Sequence, residues 1–339
     1  MEFSQRRRIL LFGFICLAVF PRPSPGGEST SFPKPEKSHL EVAIAAWGPT
    51  TLPLLVAQDA GYFARHGLTV SITQVSASAA VQSVVSGVID IYQGGAAAIA
   101  ANLAGADIIY VAAAVDRSSL VLFGQKGLNA FEMLRGKSIA TTSPGAFGEI
   151  AVRMTARKHG MEVGKEIKLL YHRSTPEALA SFLVANAEGL IITPPQTEIA
   201  RKQGYPVIVD YYQDGLKIIG PGTAVTRDFA QKYPNAIKAY LRATLDGLKR
   251  ALEDEEFARK TDSKYTKISD AEILKENYQQ GARVWNKDMT VDPAAIRLVL
   301  DDSSDPKAKT ADPKRFYDNS LIEAVNQEYA AKLFRGSVK

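Results

Sequence analysis

Cysteine is almost absent: Cys16 is the single one among 339 residues. It falls inside an apolar N-terminal stretch, so a chain cut after it has neither a disulfide nor a thiolate metal site, and its stability rests on packing. Histidine is nearly as scarce, and His39, His66, His159 and His172 share no ligand spacing. No metal and no cofactor is expected. H-E-x-x-H, P-loop and G-x-S-x-G motifs are missing: Thr141 to Gly145 has threonine where the first glycine of the elbow should stand, and Gly220-Pro221-Gly222 lacks the third glycine of a dinucleotide fingerprint. The chain therefore reads as a binding protein and not as an enzyme. Beyond the N-terminus no run approaches about eighteen consecutive apolar residues, so a soluble body is expected. Lysine runs interleaved with aromatics are missing too. The formal charge of +5 includes Arg6, Arg7 and Arg8 of a segment expected to be removed, which speaks against nucleic acid as a partner.

What is present begins with a targeting signal. Arg6 to Arg8 form a basic region and Ile9 to Phe20 an apolar one, too short to span a bilayer as a helix. Residues 1–28 are read as a signal peptide, which implies an exported, periplasmic protein, and 29–39 as a polar, proline-containing tether. Bulky Ile15 before Cys16 argues against a lipid anchor there. The remaining length suffices for two medium domains, and a hydrophobic share of 46% with 23% charged residues is that of a globular protein.

Along that body, short β-branched runs alternate with helical stretches. Strands are predicted at 40–46, 68–75, 88–92, 108–114 and 120–123, then at 138–142, 167–171, 189–193 and 207–210. Helices between them are marked by Thr50 or Thr51 ahead of Pro53, by Val81, Val84 and Val85 on one face before Gly87, and by Pro176. This predicts an α/β fold with largely parallel sheets in two units. Ile237, Leu241, Leu245, Leu248 and Leu252 form a helical core stripe, and the charged, helix-rich tail is expected to pack back on the first lobe. The expected organisation is lobe 1 from 40–124 plus 223–339 and lobe 2 from 125–222, with crossovers near 123–129 and 220–224.

Ligands of open α/β sheets sit beyond the carboxyl ends of strands, where helix N-termini offer free amides. The loops at those ends are the candidate ligand-binding residues. Trp47, Gly48, Pro49 and Thr50 offer an indole face or a structural turn. Gly94, Gly95 and Ala96 bare their backbone at a helix mouth, or simply make a tight turn. Asp116 and Arg117 are a charge pair that suits either a polar ligand or a solvated salt bridge. Thr142, Ser143, Phe147 and Gly148, within Thr141 to Gly148, combine hydroxyls, glycines and an aromatic ahead of a helix. Thr193, Pro194 and Pro195 stiffen one more loop on the same rim.

Several stretches together resemble a known family. Leu54 to Val70 (LLVAQDAGYFARHGLTV), Val81 to Asp90, the Gly94-Gly95 loop with Gly105-Ala106-Asp107, Leu134-Arg135-Gly136-Lys137, Pro194 to Asp210, Tyr233-Pro234 and Asp312 to Leu333 are similar, in order and spacing, to the nitrate, sulfonate and taurine type of ABC-transporter substrate-binding proteins. The resemblance spans about Leu40 to Phe334. It implies a type II periplasmic-binding fold, related to that of thiamine-pyrimidine synthase: two α/β lobes, two crossovers and a ligand clamped between the lobes. By the same likeness the candidate loops would line the cleft, a monomer would serve, and the partners would be a small polar or anionic organic solute and an ABC permease with its ATPase. One departure stands out: where relatives often carry Gly-x-Val-Asp-Ala, this chain reads Glu188-Gly189-Leu190-Ile191-Ile192. A receptor for a thiamine-precursor pyrimidine, stacked on Trp47 and Phe147, and an exported signalling module are the competing readings. The synthase itself carries a cysteine-rich motif that this chain lacks.

Overall fold

Hydroxyl caps and glycine stops divide the chain into short strands and helices, as their chemistry demands. In the computed structural model, residues 32–142 and 144–335 are described, and from residue 34 on the described residues form one compact unit. The expected signal peptide with Cys16, tether residues 29–31, and Ser143 lie outside the described residues. His39 already belongs to the first strand.

The first series is β1 (His39–Ile44), α1 (Leu52–Asp59), α2 (Tyr62–Arg65), β2 (Thr69–Gln74), α3 (Ala77–Val85), β3 (Ile91–Gly94), α4 (Ala97–Leu103) and β4 (Ile108–Ala113). The second is β5 (Val121–Gly124), β6 (Lys137–Thr141), α5 (Phe147–Lys158), β7 (Ile167–Tyr171), α6 (Thr175–Leu183), β8 (Gly189–Ile192), α7 (Gln196–Lys202) and β9 (Val207–Asp210). Then come β10 (Gly222–Thr226) and a helical tail: α8 (Arg227–Lys232), α9 (Pro234–Glu253), α10 (Glu255–Thr266), α11 (Ala271–Val284), α12 (Pro293–Asp302), α13 (Pro306–Thr310), α14 (Ser320–Val325), a π turn over Asn326–Ala330, and α15 (Ala331–Leu333). Ser76 accepts from the Ala79 amide and Ser174 from the Glu177 amide, each satisfying an orphan donor at its helix start.

The strands form two sheets of five with the orders β2-β1-β3-β10-β4 and β7-β6-β8-β5-β9. Each is mixed: four strands run in one direction, as expected of largely parallel sheets, and one runs against them. β10 runs antiparallel to both β3 and β4, and β5 antiparallel to both β8 and β9. The expected boundary after residue 124 is corrected, because Val121–Gly124 pairs entirely within the second sheet. The physical reason lies just before it: polar Asp116 to Ser119 makes the link, and the fully buried run Val121–Gly124 is already sheet. β3, β4, β5 and β8 are buried at every position, as strands covered by helices on both faces must be.

The two links run side by side. The Gly220 amide donates to Val115 O at 3.0 Å, Ile218 to Asp116 O at 3.1 Å and Ser118 to Leu216 O at 3.0 Å. The tail covers the first sheet: Ile237, Leu241, Leu245 and Leu248 of α9 pack with Leu54 and Val56 of α1, while Ile296 and Leu300 of α12 join Tyr92, Ile99 and Tyr110 on the opposite face. At roughly 25 cal/mol per Å² of apolar surface, such burial is the main stabilising term for a body that has no disulfide.

Candidate functional site

The carboxyl ends of β1, β3 and β6 deliver their loops to one place. A cavity of about 890 Å³ opens there, a size typical of small-molecule sites. Ala45, Tyr92, Gly95, Ala96 and Ala97 wall it on the first lobe, and Pro144 to Phe147, Glu149, Ile150, Arg153 and Arg157 on the second. Val299 and Asp302 to Ser304, around the end of α12, close its rim.

Small residues make this geometry possible. The Phe147 ring belongs to the apolar clusters of both lobes, and a Cβ on Gly95 would stand 3.1 Å from it. A Cβ on Gly94 would fall on the Tyr92 ring. The Gly95 backbone is gripped by tyrosine, with the Tyr110 hydroxyl donating to its carbonyl. Burial pushes the Tyr92 phenol up to about 12, although the Gly95 amide pulls the other way, so it stays a neutral donor and acceptor facing the cavity. Across the cleft, α5 begins directly over the end of β6: a Cβ on Gly148 would lie 2.8 Å from Thr141 Oγ1. That hydroxyl is fully buried without a hydrogen-bond partner, as is Thr197 Oγ1 at the start of α7.

The charged wall lies on one face of α5. Glu149, Arg153 and Arg157 recur every fourth residue, so the helix stacks them in a stripe. Glu149 Oε1 accepts from Arg153 Nε at 2.7 Å, while its Oε2 accepts from the Gly145 amide and from the Tyr171 hydroxyl, both at 2.9 Å. Burial opposes ionisation of Glu149, but these donors together outweigh it and hold the carboxyl below the usual range. Asp302 faces the same stripe with the opposite balance: burial raises it, Arg157 and Arg153 counter only in part, and Glu149 adds to the rise. Two acids thus meet two arginines in the cavity wall.

Of the candidate residues, Gly95, Ala96 and Phe147 come together here, with Gly94 and Gly148 directly behind. Thr142 is half-buried at the end of β6. Trp47, Gly48, Pro49 and Thr50 do not line the cavity. The Trp47 ring packs 5.1 Å from Tyr265 against the first lobe's core, and Pro49 O accepts from Trp285 Nε1 at 2.8 Å. Thr51, not Thr50, is the N-cap of α1, and its hydroxyl turns back to donate to Gly48 O at 3.1 Å. Asp116 and Arg117 sit in the first link: Asp116 pairs with Lys217 of the second at 2.5 Å, and Arg117 lies over the Tyr212 ring. Thr193, Pro194 and Pro195 form the half-buried turn between β8 and α7, outside the cavity wall. Sequence reasoning missed Tyr92, Glu149, Arg153, Arg157 and Asp302. The four-residue spacing on α5 was a usable signal for three of them, whereas nothing local marks Asp302.

Among the described residues no group of three or more His, Cys, Asp or Glu side chains is placed to hold a metal ion, and no helix is long and apolar enough to cross a membrane.

Solved structures share this architecture. A protein of Bordetella bronchiseptica RB50 superposes with a TM-score of 0.71 at 20% identity, covering 88% of this chain and 99% of its own. The periplasmic aliphatic sulphonate binding protein SsuA from Escherichia coli follows with 0.65 at 17% identity over 89% of this chain and 88% of its own. The periplasmic nitrate-binding protein NrtA from Synechocystis PCC 6803 gives 0.61 at 14% identity over 88% and 90%. At such identities the likeness carries the fold, which is that of the two-lobed periplasmic binding proteins. No curated protein sequence matches the chain. The family model described as NMT1/THI5 like matches residues 48–258, most of both lobes and more than half of the chain, and the chain belongs to that family.

Proposed function

We propose that this chain is an exported solute receptor: it captures a small polar or anionic organic solute, of sulfonate or carboxylate type, between its lobes and delivers it to an ABC importer. The observation that carries the reading is a cavity of about 890 Å³ walled by both lobes, which are joined by only two adjacent links. Such a body closes on a ligand by bending at the links, and a permease with its ATPase reads the closed form. The signal-like N-terminus and the periplasmic sulphonate- and nitrate-binding neighbours support the same reading. Binding without chemistry is proposed, with a monomer as the working unit.

The arginines of the wall are already matched by Glu149 and Asp302, so an anionic group entering the cavity is best served by the N-terminal amides of α5 beside Phe147. A planar pyrimidine is the second reading, favoured by the Phe147 ring and the Tyr92 phenol facing one cavity.

Thermal unfolding against alkanesulfonates, carboxylates, nitrate, amino acids and pyrimidines tests both. A ligand at 100 times its Kd adds about 2.7 kcal/mol to the folded state. One chemical class is expected to raise the midpoint, and Phe147→Ala to abolish that rise; no shift with any class would overturn the proposal.

A further inference from the structure

α12 touches both ends of the cleft. Its N-cap, Asp292, lies 3.6 Å from Lys217, the lysine that joins the two links through Asp116. Ten residues later, about 15 Å along a helix, Asp302 ends α12 at the rim of the cavity. There its Oδ1 stands 3.4 Å from Arg157 Nη1 of α5, on the other lobe. Asp302 is 12% exposed and Arg157 51%, so the acid is held out of water while the guanidinium reaches over to it. Burial raises the Asp302 carboxyl, and the arginines across the cleft, Arg157 and Arg153, are what favour its charged form. An acid placed in this way has its compensating charge only when the lobes are together.

We propose that Asp302 and Arg157 form a latch across the mouth of the cleft, with α12 as the rod that fixes its distance from the hinge. Opening the lobes separates the pair, exposes both charges to water and forfeits their attraction; closing restores it. The latch rests on the solute-capture reading, since it presupposes lobes that open and close, and it sets how much of the unliganded protein is already closed.

The partial exposure of the pair limits its worth to that of a surface ion pair, about a 2- to 5-fold bias between closed and open populations. The experiment measures inter-lobe distances by electron spin resonance in the full chain without any solute. Labels are carried by Val88→Cys and Val184→Cys, both more than two-thirds exposed and one on each lobe, with Cys16→Ser removing the native thiol. Asp302→Asn and Arg157→Gln are each expected to shift the distribution about 2- to 5-fold toward the longer distance. The reversed pair, Arg157→Asp with Asp302→Arg, should return it toward the parent. Salt at 1 M, where the screening length is about 3 Å, should move the parent toward the single variants. Unchanged distributions in both single variants, or a reversed pair that opens as far as both combined, would overturn the latch. The solute panel fails by a different sign, the absence of any midpoint shift, so the two proposals fall separately.

Discussion

The two lobes are the same construction with different fillings. Strand for strand, β2-β1-β3-β10-β4 matches β7-β6-β8-β5-β9, with the strand arriving from the other lobe always in fourth place. The match reaches single hydrogen bonds. Asp90 accepts the Glu41 amide at the head of β3, and Glu188 accepts the Ser138 amide at the head of β8, both at 2.9 Å. The Val75 amide donates to Ile44 O as the His172 amide does to Thr141 O. The fillings diverge where the surroundings do. α1 is buried from Leu52 to Ala57 because α9 and α10 of the tail cover it, whereas α5, met by the end of α12 across the cleft, carries Glu149, Arg153 and Arg157 toward that cleft. At the centre of the first sheet Gln93 faces Thr223; at the matching place in the second, Ile191 faces Leu122. The frame is therefore set by backbone pairing, and identity at each position by what lies outside the frame.

That claim is broken most directly by exchanging the two centres. Ile191→Gln buries an amide among apolar neighbours and is expected to cost about 4 kcal/mol in chemical unfolding, from lost packing and unmet hydrogen bonds. Adding Leu122→Thr should recover part of it. The reverse change, Gln93→Ile, removes the acceptor of Thr223 Oγ1 and Tyr240 OH and the donor to Pro221 O, and should cost about 3 kcal/mol. If either exchange is neutral, the fillings are interchangeable and the comparison fails.

Glu149→Gln probes the helix at the cleft, with an expected loss of about 2 kcal/mol at pH 7 as Arg153 loses its partner. The sign of the pH effect follows from the lowered carboxyl: its stabilisation is present above about pH 4.5 and disappears as pH falls through the folded-state value. Parent and variant should therefore converge in acid, as read from unfolding midpoints between pH 3 and 7.

The smallest effect concerns one residue. Gly87 ends α3 with φ +76°, and its counterpart after α6 is Ala185 with φ +59°, a left-handed conformation that disfavours a Cβ. Ala185→Gly should add up to about 1 kcal/mol and Gly87→Ala remove a similar amount. Equal and opposite midpoint shifts would sharpen the equivalence of the lobes.

Much of the frame could be read in the sequence because it is local. Alternation and turn chemistry marked strands 167–171 and 207–210 at their observed bounds, and Thr141 to Gly148 announced the loop that enters the cavity. What could not be read depends on partners far along the chain. Trp47 looked like a stacking face because Tyr265, which it packs against, comes from the tail. Asp116 looked like a ligand group because Lys217 lies 101 residues away. Asp302 was invisible because only the folded chain brings it to Arg157, 145 residues earlier. The place of β5 is hidden for another reason: a short buried run says nothing about which sheet it enters, and its pairing is with β8 and β9.

The interlacing of β5 and β10 also fixes an order of assembly. Every strand of the second sheet lies between residues 121 and 210, so that sheet needs no strand made after this contiguous stretch. The first sheet is not: β10, residues 222–226, must wedge between β3 and β4 before those two edges are satisfied. The lobe made first is thus finished last. β3 and β4 are joined by a strand more than a hundred residues later in the chain than either, a long-range pairing of the kind that slows folding in general.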